Sequence, residues 1–269
     1  MQKSNKSGTT WFDCLLPRPE ARFRLFCFPY AGGGASIYRT VAEQISPEIE
    51  VYPVQLPGRE KRFRERPFTR LEDLILALAE VLIPYLDKPS VLWGHSMGAL
   101  IAFELARFLR RARQDSELQR LVVSGHRAPH LPDQRPAIHN VPEEELLQVL
   151  RRFDGTPQEV LQHQELLAMV VPLLRADFAI CETYVYTSEP PLACPISAFG
   201  GLQDPYVPAE AISAWNGHTI GEFQARFFTG GHFFLRQYQA EILAAITRDL
   251  IKEASTPVTL DREDQDSLS

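Results

Sequence analysis

The chain has 269 residues, 45% of them hydrophobic and 23% charged, with a formal net charge of −6 at pH 7. That length allows one large α/β domain with a sizeable core, or a core plus a modest insertion. The negative balance argues against a nucleic-acid surface, which needs clustered Lys and Arg, and no run approaches the ~18 uninterrupted apolar residues of a membrane span.

In chain order, residues 1–21 read as a loose leader in which Trp11, Phe12, Leu15 and Leu16 are the anchors onto the body. The N-terminus is polar and has no apolar signal core. Cys14, Cys27, Cys181 and Cys194 are widely spaced without metal-ligand spacing, so reduced thiols and a cytoplasmic location are expected. Residues 22–28 form a strand rich in aromatics. It ends in Pro29-Tyr30-Ala31-Gly32-Gly33-Gly34, a run that permits a tight loop whose N–H groups approach a ligand closely. A helix over 36–45, a strand over 49–55 closing on Leu56-Pro57-Gly58-Arg59, and an apolar helix over 71–86 follow. The next stretch is Ser90-Val91-Leu92-Trp93-Gly94-His95-Ser96-Met97-Gly98-Ala99, a short buried strand and a glycine-flanked serine leading into a helix through Leu109. A strand that becomes a helix within a few residues strains the central residue, and bulk at Gly94 or Gly98 would collide across the turn. The helix aims its first N–H groups and positive dipole end at the same spot. Ser96 is therefore the candidate nucleophile.

A further strand over 118–124 completes a strand–helix rhythm that predicts a parallel sheet covered on both faces. Residues 130–188 carry no strand signal. They predict helices over 143–153 and 157–186, the second with Leu166, Val170, Leu173, Leu174 and Phe178 near a helical stripe and a kink or break near Val171, ahead of Pro172. By analogy with hydrolase cores this segment is a helical lid, the alternative being two extra surface helices packed on the core; as a lid it offers Leu166, Val170, Leu173 and Phe178 as a wall for an acyl chain. Strands over 195–199 and 224–228 and a closing helix over 233–253 complete a core of residues 22–129 and 189–254. The tail, 255–269, is polar enough to be disordered. Basic runs at 59–70 and 107–113 read as solvated faces, with steering of an acidic partner as the alternative.

A serine hydroxyl needs a base within hydrogen-bond reach and an acid that fixes the base's tautomer. His232 follows the last strand on a Gly-Gly loop. His95 is locked beside Ser96, His126 and His130 precede the insertion, and His139, His163 and His218 have polar surroundings. Asp204 follows the penultimate strand, whereas Asp133, Asp154 and Asp177 lie in the insertion with no strand end to place them. The order Ser96, Asp204, His232 is that of the α/β-hydrolase fold: a mostly parallel sheet, helices on both faces, and here a helical lid. The N–H of Met97 supplies one oxyanion donor, and Ala31, or alternatively Tyr30, supplies the other. The implied reaction is acyl transfer to water, with no metal or organic cofactor.

Phe28-Pro29-Tyr30-Ala31-Gly32-Gly33, Leu56-Pro57-Gly58-Arg59-Glu60, Gly94-His95-Ser96-Met97-Gly98-Ala99, Ser124-Gly125 with Ala128-Pro129, Leu173-Leu174-Arg175-Ala176-Asp177-Phe178 and Gly230-Gly231-His232-Phe233-Phe234-Leu235 together resemble the type II thioesterases. These are the free-standing editing enzymes of nonribosomal peptide and polyketide synthases. The resemblance spans about 23–250. It implies hydrolysis of acyl groups from the phosphopantetheine arm of acyl or peptidyl carrier protein domains, with Ser96, Asp204 and His232 catalytic. A monomer is expected. Trp93, His126 and the pair Leu202-Gln203 before Asp204 depart from the commonest family pattern. A chain-releasing fatty-acyl thioesterase, a small-molecule carboxylesterase and a non-catalytic carrier-binding protein stay open as alternatives.

Overall fold

The computed structural model describes residues 10–152, 155 and 158–254. The expectations for the first nine residues, for Phe153, Asp154 and Pro157, and for the tail over 255–269 lie outside the described residues.

Six strands form one parallel sheet in the order β2-β1-β3-β4-β5-β6: β1 (Phe23–Phe28), β2 (Ile49–Pro53), β3 (Ser90–His95), β4 (Leu118–Ser124), β5 (Ile196–Gly201) and β6 (Phe223–Phe228). Every residue of β1, β3 and β5 is buried, which is why these strands read as mostly apolar runs rather than as strict alternations, with Arg24, Ser90, His95 and Ser197 as buried polar exceptions. On one face lie α2 (Leu71–Leu82), α3 (Met97–Arg111) and α7 (Ala209–Ser213), which bury Leu74, Leu78, Leu100, Phe103 and Ile212 in one core cluster. On the other lie α1 (Arg39–Gln44) and α8 (Gln239–Ala254), which bury Val41, Ala42, Ile242 and Ile246 in a second. The chain runs from β1 out to β2 and then back across to β3. All C-terminal strand ends therefore open on one edge, and the β1/β3 boundary is where the winding reverses, the place where ligands bind in open α/β sheets.

Between β4 and β5 stand α4 (Glu143–Arg152), α5 (Gln158–Gln162) and α6 (Gln164–Glu182). Leu146, Leu150, Val171 and Leu174 join Ile138 in a small core of their own. The break expected near Val171 does not occur: α6 runs through Pro172, and the chain breaks instead at His163, whose backbone is extended. Pro172 removes one N–H from the helix ladder, but Val171, Leu173 and Leu174 beside it are buried, and that packing holds the turn together.

Residues 10–21 are not loose. The Phe12 ring lies 5.0 Å from that of Tyr85 and 5.4 Å from that of Phe26. The Arg18 guanidinium donates to the carbonyls of Ala42, Ile45, Ser46 and Ile49. The basic runs are also partly internal. Arg59, Arg62 and Arg107 are buried, and Glu189 gathers Arg107, Arg110 and Arg111. A charged side chain enters the interior when an acidic partner follows it there, and sequence spacing does not show that partner. All four cysteines are free thiols. Among the described residues no helix is long and apolar enough to cross a membrane.

Candidate active site

Ser96 sits between β3 and α3 with φ of +54° and ψ of −118°, a backbone region that side chains with a Cβ rarely adopt. The surroundings allow nothing softer. A Cβ on Gly94 would lie 1.9 Å from the carbonyl oxygen of Gly98, and one on Gly98 would lie 2.0 Å from that of Phe28. Strand, helix and the end of β1 therefore touch backbone to backbone, and Ser96 is held up from the contact.

Two other strand ends deliver the partners. Asp204 follows β5 and His232 follows β6, which lies three strands from β3, roughly 14 Å at ordinary strand spacing. The 229–233 loop spans that gap. His232 Nε2 lies 3.1 Å from Ser96 Oγ, and His232 Nδ1 lies 2.7 Å from Asp204 Oδ2. A carboxylate only accepts, so Nδ1 carries the proton and Nε2 presents its lone pair to the serine hydroxyl. The other oxygen, Asp204 Oδ1, accepts from Tyr206 N–H at 2.9 Å and Val207 N–H at 3.3 Å, which orients the carboxylate.

The rival acids have other partners. Asp133 pairs with Arg127 and Arg135 at 3.0 and 2.8 Å. Burial raises its pKa, but the Arg135 hydrogen bonds and the charges of both arginines outweigh this and hold it down to about 2. Asp177 is fully buried on Arg59. The rival histidines are also engaged. His95 Nδ1 lies 2.9 Å from Ser124 Oγ, whose hydroxyl donates to the Gly94 carbonyl, so the His95 proton is on Nδ1. Burial first, and the nearby His232 second, push its pKa well below the usual value. A Cβ on Gly125, at φ +59°, would lie 2.5 Å from the His95 ring, which accounts for the glycine after Ser124. His218 is buried rather than solvated, with its ring 2.8 Å from His130 Nδ1.

A cavity of about 340 Å³ opens over Ser96, lined among others by Ala31, Met97, His126, Ile138 and Phe178. Ala31 lines it and Tyr30 does not. In the same loop Gly32 N–H donates to Asp177 and Gly33 N–H to Tyr30 O, so neither of these two faces the cavity. Met97 is the first residue of α3, where an N–H has no intrahelical partner. Of the four predicted wall residues, Phe178 lines the cavity. Leu166 is 40% exposed, Val170 packs within the α4–α6 core, and Leu173 packs beside Gly58. Asp133, Arg135, Cys181, Glu182 and Tyr206 complete a partly polar lining that sequence reasoning did not assemble, because no strand end or motif marks them. Among the described residues no group of three or more His, Cys, Asp or Glu side chains forms a metal site.

His126 Nδ1–H donates to the Arg127 carbonyl at 2.7 Å. Burial, then the Arg127 charge, push its pKa down to about 3. The folded protein thus resists a proton that the unfolded chain accepts near pH 6.5, so this contribution is complete above about pH 6.5 and is lost as pH falls toward 3. At about 1.4 kcal/mol per unit, His126 accounts for roughly 2 kcal/mol of lost stability at pH 5. His126→Gln is expected to shrink the difference between urea unfolding at pH 7 and at pH 5. A variant as acid-sensitive as the wild type would contradict this assignment.

The Thioesterase domain family model matches residues 23–251. The chain is 45% identical over 253 residues, 93% of its length and 96% of the relative's, to linear gramicidin dehydrogenase LgrE of Brevibacillus parabrevis. It is 41% identical over 240 residues, 89% of its length and 93% of the relative's, to gramicidin S biosynthesis protein GrsT of Aneurinibacillus migulanus. Among solved structures, the type II thioesterase BorB from the borrelidin biosynthetic cluster superposes with a TM-score of 0.81 at 39% identity, covering 89% of this chain and 97% of that one. With a matched domain model across the sheet and these identities over nearly full length, the chain belongs to the thioesterase family, with the type II thioesterases, on the α/β-hydrolase fold.

Proposed function

We propose that this protein is a serine thioesterase that hydrolyses acyl groups from the phosphopantetheine arm of acyl or peptidyl carrier proteins, editing misprimed or stalled units in nonribosomal peptide or polyketide biosynthesis. The observation that carries the reading is the unbroken hydrogen-bonded line Ser96–His232–Asp204, with Ser96 opening on a cavity. Names of relatives support the pathway: GrsT is a gramicidin S biosynthesis protein, and BorB belongs to a borrelidin cluster. The word dehydrogenase in the name of LgrE is said of that protein; a hydroxyl, imidazole and carboxylate in this order suit acyl transfer.

In this mechanism Ser96 Oγ attacks the thioester carbonyl while His232 Nε2 takes its proton, and Asp204 stabilises the imidazolium. The N–H groups of Met97 and Ala31 hold the oxyanion. Collapse expels the pantetheine sulfur, which His232 protonates. His232 then removes a proton from water, which attacks the acyl-serine; collapse breaks the bond to Ser96 Oγ, His232 returns the proton to that oxygen, and the acid is released. A thioester carbonyl lacks most amide resonance, so two N–H donors suffice. The α4–α6 segment acts as the lid, with Phe178 against the acyl chain.

Rates on an acyl–carrier thioester and on the oxygen ester of the same acyl group test the reading. A marked preference for the carrier thioester is expected, with free acid appearing by mass spectrometry. Faster turnover of the oxygen ester would make the protein a carboxylesterase instead.

A further inference from the structure

We propose that Asp177 and Arg59 are positioning residues for the oxyanion hole, which is assembled only while α6 is seated on the glycine loop. The proposal rests on the reading of Ala31 and Met97 as the oxyanion donors.

Asp177 projects from α6 and has no exposed surface. Its Oδ2 accepts from Gly32 N–H at 2.7 Å and from Arg59 Nη1 at 2.9 Å, and its Oδ1 accepts from Arg59 Nη2 at 2.8 Å. The same Nη1 donates to the Gly33 carbonyl at 3.1 Å, and Arg59 Nε donates to the Pro57 carbonyl at 3.2 Å. One buried ion pair thus grips the loop at an N–H and at a carbonyl, immediately after Ala31. The loop needs such a grip. Glycines restrain the backbone least, and Gly32 stands at φ +79°, in the left-handed region.

Packing and charge come from the same turns of helix. A Cβ on Gly32 would lie 2.8 Å from Leu174 Cδ2, one turn before Asp177, while Phe178, next to Asp177, lines the cavity. Neither Asp177 nor Arg59 lines the cavity, so their effect on the reaction passes through the backbone they hold. Lifting α6 would separate two buried charges, and a buried charge stripped of its partner is strongly unfavourable. The link between lid and loop therefore behaves as made or broken, with little between. A lid that only shields a cavity would change how substrate binds, whereas this one changes how its transition state is held.

Two variants test the clamp. Asp177→Asn removes the charge at constant shape. Arg59→Met/Asp177→Leu replaces the pair by apolar groups, an exchange that buried ion pairs often tolerate. The readouts are kcat and KM on an acyl thioester, and the ionisation of the hemiketal that Ser96 forms with a trifluoromethyl ketone, followed by NMR of a ¹³C-labelled carbonyl. In the double variant kcat is expected to fall about 100-fold, as when one oxyanion donor is removed, with KM held within about threefold. The hemiketal pKa is expected to rise by about 2 units, the same factor expressed as an ionisation. Asp177→Asn is expected to show at least about a tenfold loss in kcat in the same direction. The acid limb of the pH–rate profile is expected to stay in place. A cooperatively folded variant whose kcat is unchanged, whose loss is confined to KM, or whose hemiketal pKa does not move overturns the clamp. A wild-type protein inert toward both thioester and ketone overturns the functional reading and the clamp with it, whereas an active wild type beside unimpaired variants overturns the clamp alone.

Discussion

Ser96→Ala is expected to lower turnover of an acyl thioester by about 10⁶-fold when the three side chains act as a unit. The size follows from mechanism. With Oγ removed, His232 has no proton to take and no acyl-enzyme forms, so what remains is binding and the oxyanion donors acting on direct attack by water. The fold should be little affected. Ser96 contributes one side-chain hydrogen bond, the 3.1 Å contact to His232 Nε2, and alanine meets the same backbone angles. The check is single-turnover hydrolysis of an acylated carrier protein, together with labelling by a fluorophosphonate, which the wild type should show at Ser96 and the variant should not. Near-wild-type rates in the variant would remove Ser96 from the chemistry. His232→Ala should lose almost as much, because members of a unit are not additive.

A large effect on stability is expected at Gly98. A methyl group there would sit 2.0 Å from the Phe28 carbonyl oxygen, 2.7 Å from its carbon and 2.9 Å from the Pro29 oxygen, all backbone atoms. No side chain can rotate to make room, so α3 must lift from the end of β1. Overpacking that side chains absorb costs about 1–3 kcal/mol; here the clash is between main chains, and Gly98→Ala is expected to exceed about 3 kcal/mol. The displaced segment also leads into Tyr30 and Ala31, so any folded fraction should turn over slowly. Urea unfolding of Gly98→Ala beside Gly217→Ala gives the measurement, since a methyl at Gly217 meets nothing within 4 Å and should leave the midpoint unchanged. Matching midpoints for the two variants would mean that the strand–helix turn yields more easily than its geometry implies.

Much of this architecture was legible in the residues. The runs that became β1, β3 and β5 announced themselves because strands covered on both faces are predominantly apolar. Ser96, Asp204 and His232 were legible because each follows a strand, and a parallel sheet collects its C-terminal strand ends on one edge. The glycines around Ser96 had a local steric reason that needs no distant partner. Arg59 and Asp177 were harder. Each stood in a motif the sequence displayed, yet one read as part of a solvated basic run and the other as a displaced acid, because their meeting depends on how α6 crosses the loop after β1. The unbroken course of α6 through Pro172 was misread for a related reason, since burial of its neighbours overrode a local preference.

Local chemistry by itself therefore determined the strands, the serine turn, the chain order of Ser96, Asp204 and His232 and the family they resemble. Only the tertiary structure decided that α6 is tied by a buried ion pair to the loop carrying Ala31, that Phe178 lines the cavity over Ser96 while Leu166 faces outward, and that residues 10–21 are stitched down by Arg18. The division has a physical basis: backbone preference and hydrophobic period act over a few residues, whereas a buried charge is defined by a partner that can lie more than a hundred positions away, 118 in the case of Arg59 and Asp177.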